Sequence, residues 1–371
     1  MSTNSEQPPF RADHVGSFLR PTKLAQARQQ WRDGNLNDAA LHTIEDNCVR
    51  QVVAMQEQIG LKGITDGDMR RGDWVLDFIY AIEGIEPSGK YAVTPFKGGV
   101  EFSVPIPTLT RKIRCPEHGI LLQALQFLCA TTLQTAKLAI PAPAMLFNSF
   151  QSPVIQTQYS DDSEFWHDVA TVYQCAIQQY ADAGCTYLQI DDVNAGKTGD
   201  TQAQAMWREQ GYSVQQRVEA FVALNNAALA RRPPSMTVAV HICRGNFQSQ
   251  YMASGGYDLM AEHYFNELNV DAFFLEYDDE RSGGFEPLRF MPKNKTVVLG
   301  LLTTKTPQLE DKDKIKRRID EAARYVDLER LCLSPQCGFA STHEGNKLTE
   351  DEQRRKLIHL ADIATEVWGA I

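Results

Sequence analysis

Eight short β-rich runs recur along the chain with helical patterns between most of them, and no other feature restricts the fold as tightly. The runs are Asp13–Phe18, Gly63–Asp68, Leu138–Ala142, Tyr187–Asp192, Thr237–Arg244, Ala272–Tyr277, Thr296–Leu302 and Leu331–Pro335. Several are continuously apolar, as strands buried on both faces must be. Among the helical segments, Leu41–Ile59 stops at Gly60, Asp162–Ala183 at Gly184, and Ser213–Ala230 before Arg231-Arg232-Pro233-Pro234. Asp311–Tyr325 and Thr349–Trp368 complete the series. Strand and helix alternating in this way predict a (β/α)8 TIM barrel. A doubly wound open sheet is the alternative, but eight strands without a GxGxxG turn favour closure. The chain reads as a single domain over residues 1–371, since barrels of this kind exceed the usual domain length.

One unit is irregular. Between the second and third predicted strands, residues from Arg70 to about Ala136 hold an alternating run, Val100–Ile113, broken by Pro105 and Pro107. This segment predicts an inserted β-hairpin or arm over one end of the barrel, then a helix from about Glu117.

The formal net charge of −10, with no Lys/Arg block to override it, argues against nucleic-acid binding. No run is long and apolar enough for a membrane helix, and the polar start MSTNSEQPPF lacks the apolar stretch of a secretory signal. A cytoplasmic protein is expected. Its eight cysteines include no CxxC pair, so most read as small buried residues rather than disulfide partners.

A barrel carries its chemistry at the C-terminal ends of its strands, and there the reactive residues of this chain gather. The second predicted strand ends in Asp66-Gly67-Asp68, the fourth in Asp191-Asp192, the fifth in His241-Ile242-Cys243, the sixth in Glu276, and the eighth runs into Cys337. Residues two apart on a strand share a face, so His241 and Cys243 point the same way. Alone they read as a core thiol beside a hydrogen-bonded imidazole. Glu276 ends a buried strand, where an unpaired charge is costly; it calls for a metal or for a partner such as Arg244. Cys337 lies in a tight turn set by Pro335 and Gly338. Together, one nitrogen, one carboxylate and two sulfurs from three strand ends suit a tetrahedral zinc.

At these residues the sequence resembles the cobalamin-independent methionine synthases, in their short single-barrel form. The matching segments are Arg11–Pro21, Asp66-Gly67-Asp68, Gln189-Ile190-Asp191-Asp192, His241-Ile242-Cys243, Glu276 and Ser334-Pro335-Gln336-Cys337-Gly338. The resemblance implies a zinc site of His241, Cys243, Glu276 and Cys337. It also implies methyl transfer to the sulfur of homocysteine from a folate. A free thiol has a pKa near about 8.5 and attacks as thiolate, and zinc supplies that form at neutral pH. Val15 and Ser17 match the segment that binds the amino-acid part of homocysteine, and Asp191 a carboxylate for its ammonium. On the residues alone, Ser17 shapes a loop and Asp191 pairs with Arg20 or Arg71. Of two adjacent aspartates only one faces inward, and the resemblance selects Asp191. His14 either touches substrate or hydrogen-bonds backbone.

The chain departs from the family's long enzymes in three places. It shows no counterpart of their N-terminal barrel, which leaves the donor open among a simpler methylfolate, a methylcorrinoid (protein-bound or free) and another small methyl or alkyl donor. Asp68 stands where the family has a Glu that clamps homocysteine. Lys305 stands where a His protonates the leaving group; it could donate a proton, bind an anionic group, or sit in a solvated loop. Three other readings compete. One is a zinc thiolate acting on another thiol or electrophile, as in coenzyme-M-type epoxide opening. The second is a barrel lyase or aldolase with Lys305 as Schiff-base former. The third is a barrel with a closed structural zinc.

Overall fold

The computed structural model describes residues 7–371; residues 1–6, part of the polar start, lie outside the description. Among the described residues nine strands are formed: β1 (Gly63–Ile64), β2 (Glu83–Pro95), β3 (Glu101–Arg114), β4 (Thr135–Pro141), β5 (Tyr187–Asp192), β6 (Thr237–Ile242), β7 (Ala272–Glu276), β8 (Thr296–Leu302) and β9 (Leu331–Pro335). Seven of them make one parallel sheet in the order β1-β4-β5-β6-β7-β8-β9. The sheet curls into a TIM-type barrel with helices outside it.

The eighth position differs from expectation. Asp13–Phe18 forms no strand. The chain there still fills the gap between β9 and β1. On one side Ala12 bridges Leu333, Asp13 N donates to Leu333 O at 3.0 Å, and Leu333 N donates to Arg11 O at 2.9 Å. On the other, Phe18 N donates to Gly67 O at 3.1 Å, Thr65 Oγ1 donates to Gly16 O at 2.6 Å, and the His14 ring Nε2 bonds Gly63 O at 2.9 Å. The reason is local. Gly16 has φ +128°, and the Asp13 carboxylate accepts the backbone N–H groups of Phe10 and His14. Both curl the chain away from a straight ladder. The second predicted run also shortens, to Gly63–Ile64, because Gly67 and Asp68 take left-handed conformations.

Side-chain parity divides the strands between two cores. Val238, Val240 and Ile242 of β6, Phe273 and Leu275 of β7, and Leu188 and Ile190 of β5 pack outward against the helices. Ala239, Ala272, Phe274 and Tyr187 join Phe10, Val15, Val298 and Cys332 in a small cluster inside the ring. Continuing the inward parity toward the C-terminal ends gives Asp191, His241 and Glu276. A rim of functional side chains thus sits directly above a plug of packed apolar ones.

The arm forms as expected. β2 and β3 pair antiparallel, with the register shifting between Pro87 and Tyr91. Its far end bends onto the loop after β6: Lys97 N donates to Tyr251 O at 2.8 Å, and the Phe96 and Phe102 rings lie 5.5 and 4.7 Å from that of Phe247. The next helix is Leu122–Thr131. It begins later than Glu117 because Gly119 and Leu121 both adopt positive φ in the turn before it. The remaining predicted helices appear with their caps, including αL Gly60 and a Thr349/Glu352 capping box. Among the described residues no helix is long and apolar enough to cross a membrane.

Candidate metal centre

His241 sits at the end of β6, and Cys243 one residue beyond it, where Cys243 N still donates to Asp192 O at 3.2 Å. Glu276 is the last residue of β7, and Cys337 lies two residues past β9. One ligand atom from each of the four falls within 4.8 Å of every other. All are buried, with exposures of 1, 6, 0 and 3%.

Three observations test whether a metal fits. The Cys243 and Cys337 sulfurs are 3.6 Å apart; two sulfurs on a tetrahedral zinc at about 2.3 Å stand about 3.8 Å from each other. Both ring nitrogens of His241 are buried without a hydrogen-bond partner, a costly state that a coordinated cation relieves. The donor set, one imidazole, one carboxylate and two thiols, is chemically suited to zinc. The residues fit the ion.

The site's electrostatics already favour a thiolate. The Cys243 thiol hydrogen-bonds Cys337, which holds the Cys337 sulfur well below its ordinary pKa against the opposing effect of burial; His241 and Lys305 add to the lowering. The same hydrogen bond, with burial, pushes Cys243 well up. The pair's hydrogen bond therefore favours negative charge on the Cys337 sulfur over the Cys243 sulfur.

Backbone packing fixes these groups. A Cβ on Gly338 would lie 1.9 Å from Ser17 Oγ, and one on Gly196 2.1 Å from Cys243 O. Only glycine allows the Cys337 turn to press on Ser17, or the loop after β5 to press on Cys243.

A cavity of about 520 Å³ opens above the centre. Val15, Ser17, Asp68, Asp191, His241, Cys243 and Cys337 line its floor, and Phe96, Phe102 and Phe247 wall it under the arm. Asp191 pairs with neither Arg20 nor Arg71. Arg20 donates to Phe18 O and Ala340 O, and Arg71 lies 3.4 Å from Asp68. Gln189 Nε2 instead donates to Asp191 Oδ1 at 2.7 Å and to Val15 O at 2.8 Å. Burial raises the Asp191 carboxyl to about 7. Asp192 faces the other way and accepts from Tyr264, Asn225 and Ala195 N.

The two remaining candidates sit apart. His14 is not among the residues lining the cavity; its ring bonds Gly63 O, packs on Phe18, and burial lowers its pKa to about 4. Lys305 does not line the cavity either. Its Nζ is buried without a hydrogen-bond partner, with its charge felt at Asp278 and Cys337.

Three contributors have no role assigned from the sequence. Gln189 links two cavity groups, Phe247 meets the arm, and Arg281 bonds Glu276 Oε2 at 3.1 Å, a partnership the sequence reading had offered to Arg244. Arg244 gives the Glu276 carboxylate only its backbone N–H, at 3.1 Å to Oε1; its guanidinium turns to Gly255 O, Tyr257 and the Glu276 main-chain carbonyl. The signal for Arg281 was an arginine five residues after a buried carboxylate.

Comparison with known proteins follows the same outline. Residues 10–365 match the family described as the cobalamin-independent synthase catalytic domain. The uncharacterized protein YxjH of Bacillus subtilis is 44% identical over 97% of this chain and 95% of its own length. A methionine synthase of Pyrococcus abyssi is 24% identical over 90% of this chain and 87% of its own. A crystal structure of a putative vitamin-B12-independent methionine synthase from Listeria monocytogenes superposes with a TM-score of 0.77 at 36% identity, covering 97% of this chain and 98% of that one.

Proposed function

The chain belongs to the cobalamin-independent methionine synthase family, and from that membership we propose that it transfers a methyl group to the sulfur of homocysteine, giving methionine, with zinc held by His241, Cys243, Glu276 and Cys337. The observation that carries this reading is the buried four-ligand cluster, of which His241, Cys243 and Cys337 line the floor of the cavity. When bound, zinc keeps a thiol sulfur deprotonated near neutral pH and holds it in place.

The chain's own residues supply binding and orientation. Asp191, buried and without a cationic partner, receives the substrate ammonium, and Gln189 keeps it turned into the cavity. Val15 and Ser17 hold the carboxylate end of the amino acid, in a loop that Gln189 and Gly338 lock in place. Asp68, steadied by Arg71, adds a second carboxylate on that side. The sulfur-to-carbon bond forms as the bond from the methyl carbon to the donor breaks. The donor keeps the electron pair, and a folate leaving group then takes up a proton.

Lys305 acts through its charge beside Cys337 and not as the proton donor, since it does not line the cavity. The same position counts against a Schiff-base aldolase. His14 holds the closing segment of the barrel through Gly63. The methyl donor is a methylfolate or a methylcorrinoid and enters beneath the arm.

A donor screen tests the proposal. Zinc-loaded protein is given homocysteine with methylfolates of one and three glutamates or with methylcobalamin, and methionine is measured. Methionine from at least one donor is expected. None from any of them, with zinc and homocysteine both bound, would remove methionine synthesis.

A further inference from the structure

We infer that Arg281 is a positioning residue of the metal centre, setting the orientation of Glu276 toward the other three ligands. The inference rests on the zinc site proposed above. It starts from an accounting problem in charge. A zinc ion with a neutral imidazole, a carboxylate and two thiolates carries one net negative charge, and a thiolate substrate adds another. Glu276 is fully buried, and a buried carboxylate of such a centre needs partners on its non-coordinating side.

Arg281 is placed to be that partner. Its Nη2 donates to Glu276 Oε2 at 3.1 Å and to Asp278 Oδ1 at 2.7 Å, and its Nη1 donates to Asp279. The guanidinium stands over the Tyr251 ring, 4.9 Å from the centroid, and its side chain is 4% exposed. The backbone is pinned as well: Gly255 N donates to Arg281 O at 2.8 Å, and Arg281 N donates to Asp279 Oδ1 at 2.9 Å. Two carboxylates that are not ligands thus lock the fork, and one of its N–H groups is left aimed at a carboxylate that is. On the other oxygen, the Arg244 backbone N–H completes the grip. The Glu276 side chain is held at both oxygens, so its reach toward His241 and the sulfurs is preset.

Arg281 also joins the centre to a second, more open cleft of about 820 Å³, which it lines with Tyr251, Phe285, Arg318 and Arg324 among others. None of the four ligands lines that cleft. Arg324 lines the same cleft and does not bond Glu276, which makes it the natural control.

The alternative is that Arg281 merely staples the loop after β7 through Asp278 and Asp279. Metal affinity separates the two roles. Zinc dissociation constants are measured by chelator competition for wild type, R281Q, R281K and R324Q, together with the visible spectrum of each cobalt-substituted protein. R281Q is expected to weaken zinc binding by about 10- to 100-fold and to change the cobalt bands. R281K keeps the charge but loses the fork, so it falls between wild type and R281Q; R324Q matches wild type. If R281Q fails to fold, R281K carries the test, and wild-type affinity there overturns the inference. So does a folded R281Q with zinc affinity within threefold of wild type and an unchanged cobalt spectrum. A wild-type chain that binds no zinc would remove the proposed function itself, and this inference with it.

Discussion

The floor of the cavity and its roof are built by different means. The floor belongs to the strands: parity along β5, β6 and β7 turns Asp191, His241 and Glu276 inward above a packed apolar plug. The roof belongs to the arm, a two-stranded hairpin whose Tyr91 and Val93 are 66 and 60% exposed and whose Phe96 and Phe102 rings pack on Phe247. A ladder fixes side chains to within a fraction of an ångström, whereas an isolated hairpin is marginal without something to pack on. The floor is therefore the place for the chemistry that must not vary, and the roof for the part of the donor that differs between enzymes of this shape.

Variants can break that contrast or sharpen it. The largest effect belongs to the floor: Cys243→Ser or Cys337→Ser should each abolish stoichiometric zinc by metal analysis and lower kcat/KM by at least about a thousandfold. Asp191→Asn should raise KM for homocysteine by about 30-fold while zinc content holds, as loss of one charged hydrogen-bonded partner predicts. At the roof, Phe102→Ala should raise the donor KM by only about three- to tenfold, with homocysteine affinity unchanged by calorimetry. A change of equal size in homocysteine binding would mean that roof and floor are not separate. The last effect, on stability and not on turnover, lies at the root of the arm. Burial raises the Asp73 carboxyl to about 6, above its ordinary value of 3.8. Such a group favours the folded state only while protonated, fully below pH about 3.8 and not at all above about 6. Between pH 4 and 7.5 the wild type should lose more unfolding free energy than Asp73→Asn, by about 2 kcal/mol, read from urea midpoints. Equal losses would show Asp73 to be solvated.

The same contrast explains what could be read from the sequence. The floor was legible because its signals are short-range: His241 and Cys243 two apart on an apolar run, a carboxylate closing another, and adjacent aspartates of which one must face out. The closing segment was legible in place but not in form. Gly16 and the Asp13 side chain replace the ladder with curled, side-chain-mediated bonds that no run of β-formers reveals. Arg281 and Gln189 were present in the sequence without announcing a role, because what they touch is set by loop geometry. The arm showed itself as an alternating run with prolines, yet its contact with Phe247 joins residues that are far apart in the chain.

The central claim is that the four ligands hold a metal to which the substrate thiol binds directly. The cobalt-substituted protein tests it. Metal analysis should give about one ion per chain, and homocysteine should strengthen the sulfur-to-cobalt absorption, with the whole signal lost in Cys337→Ser. A spectrum that ignores homocysteine, or full metal content retained in both Cys243→Ser and Cys337→Ser, would contradict the account.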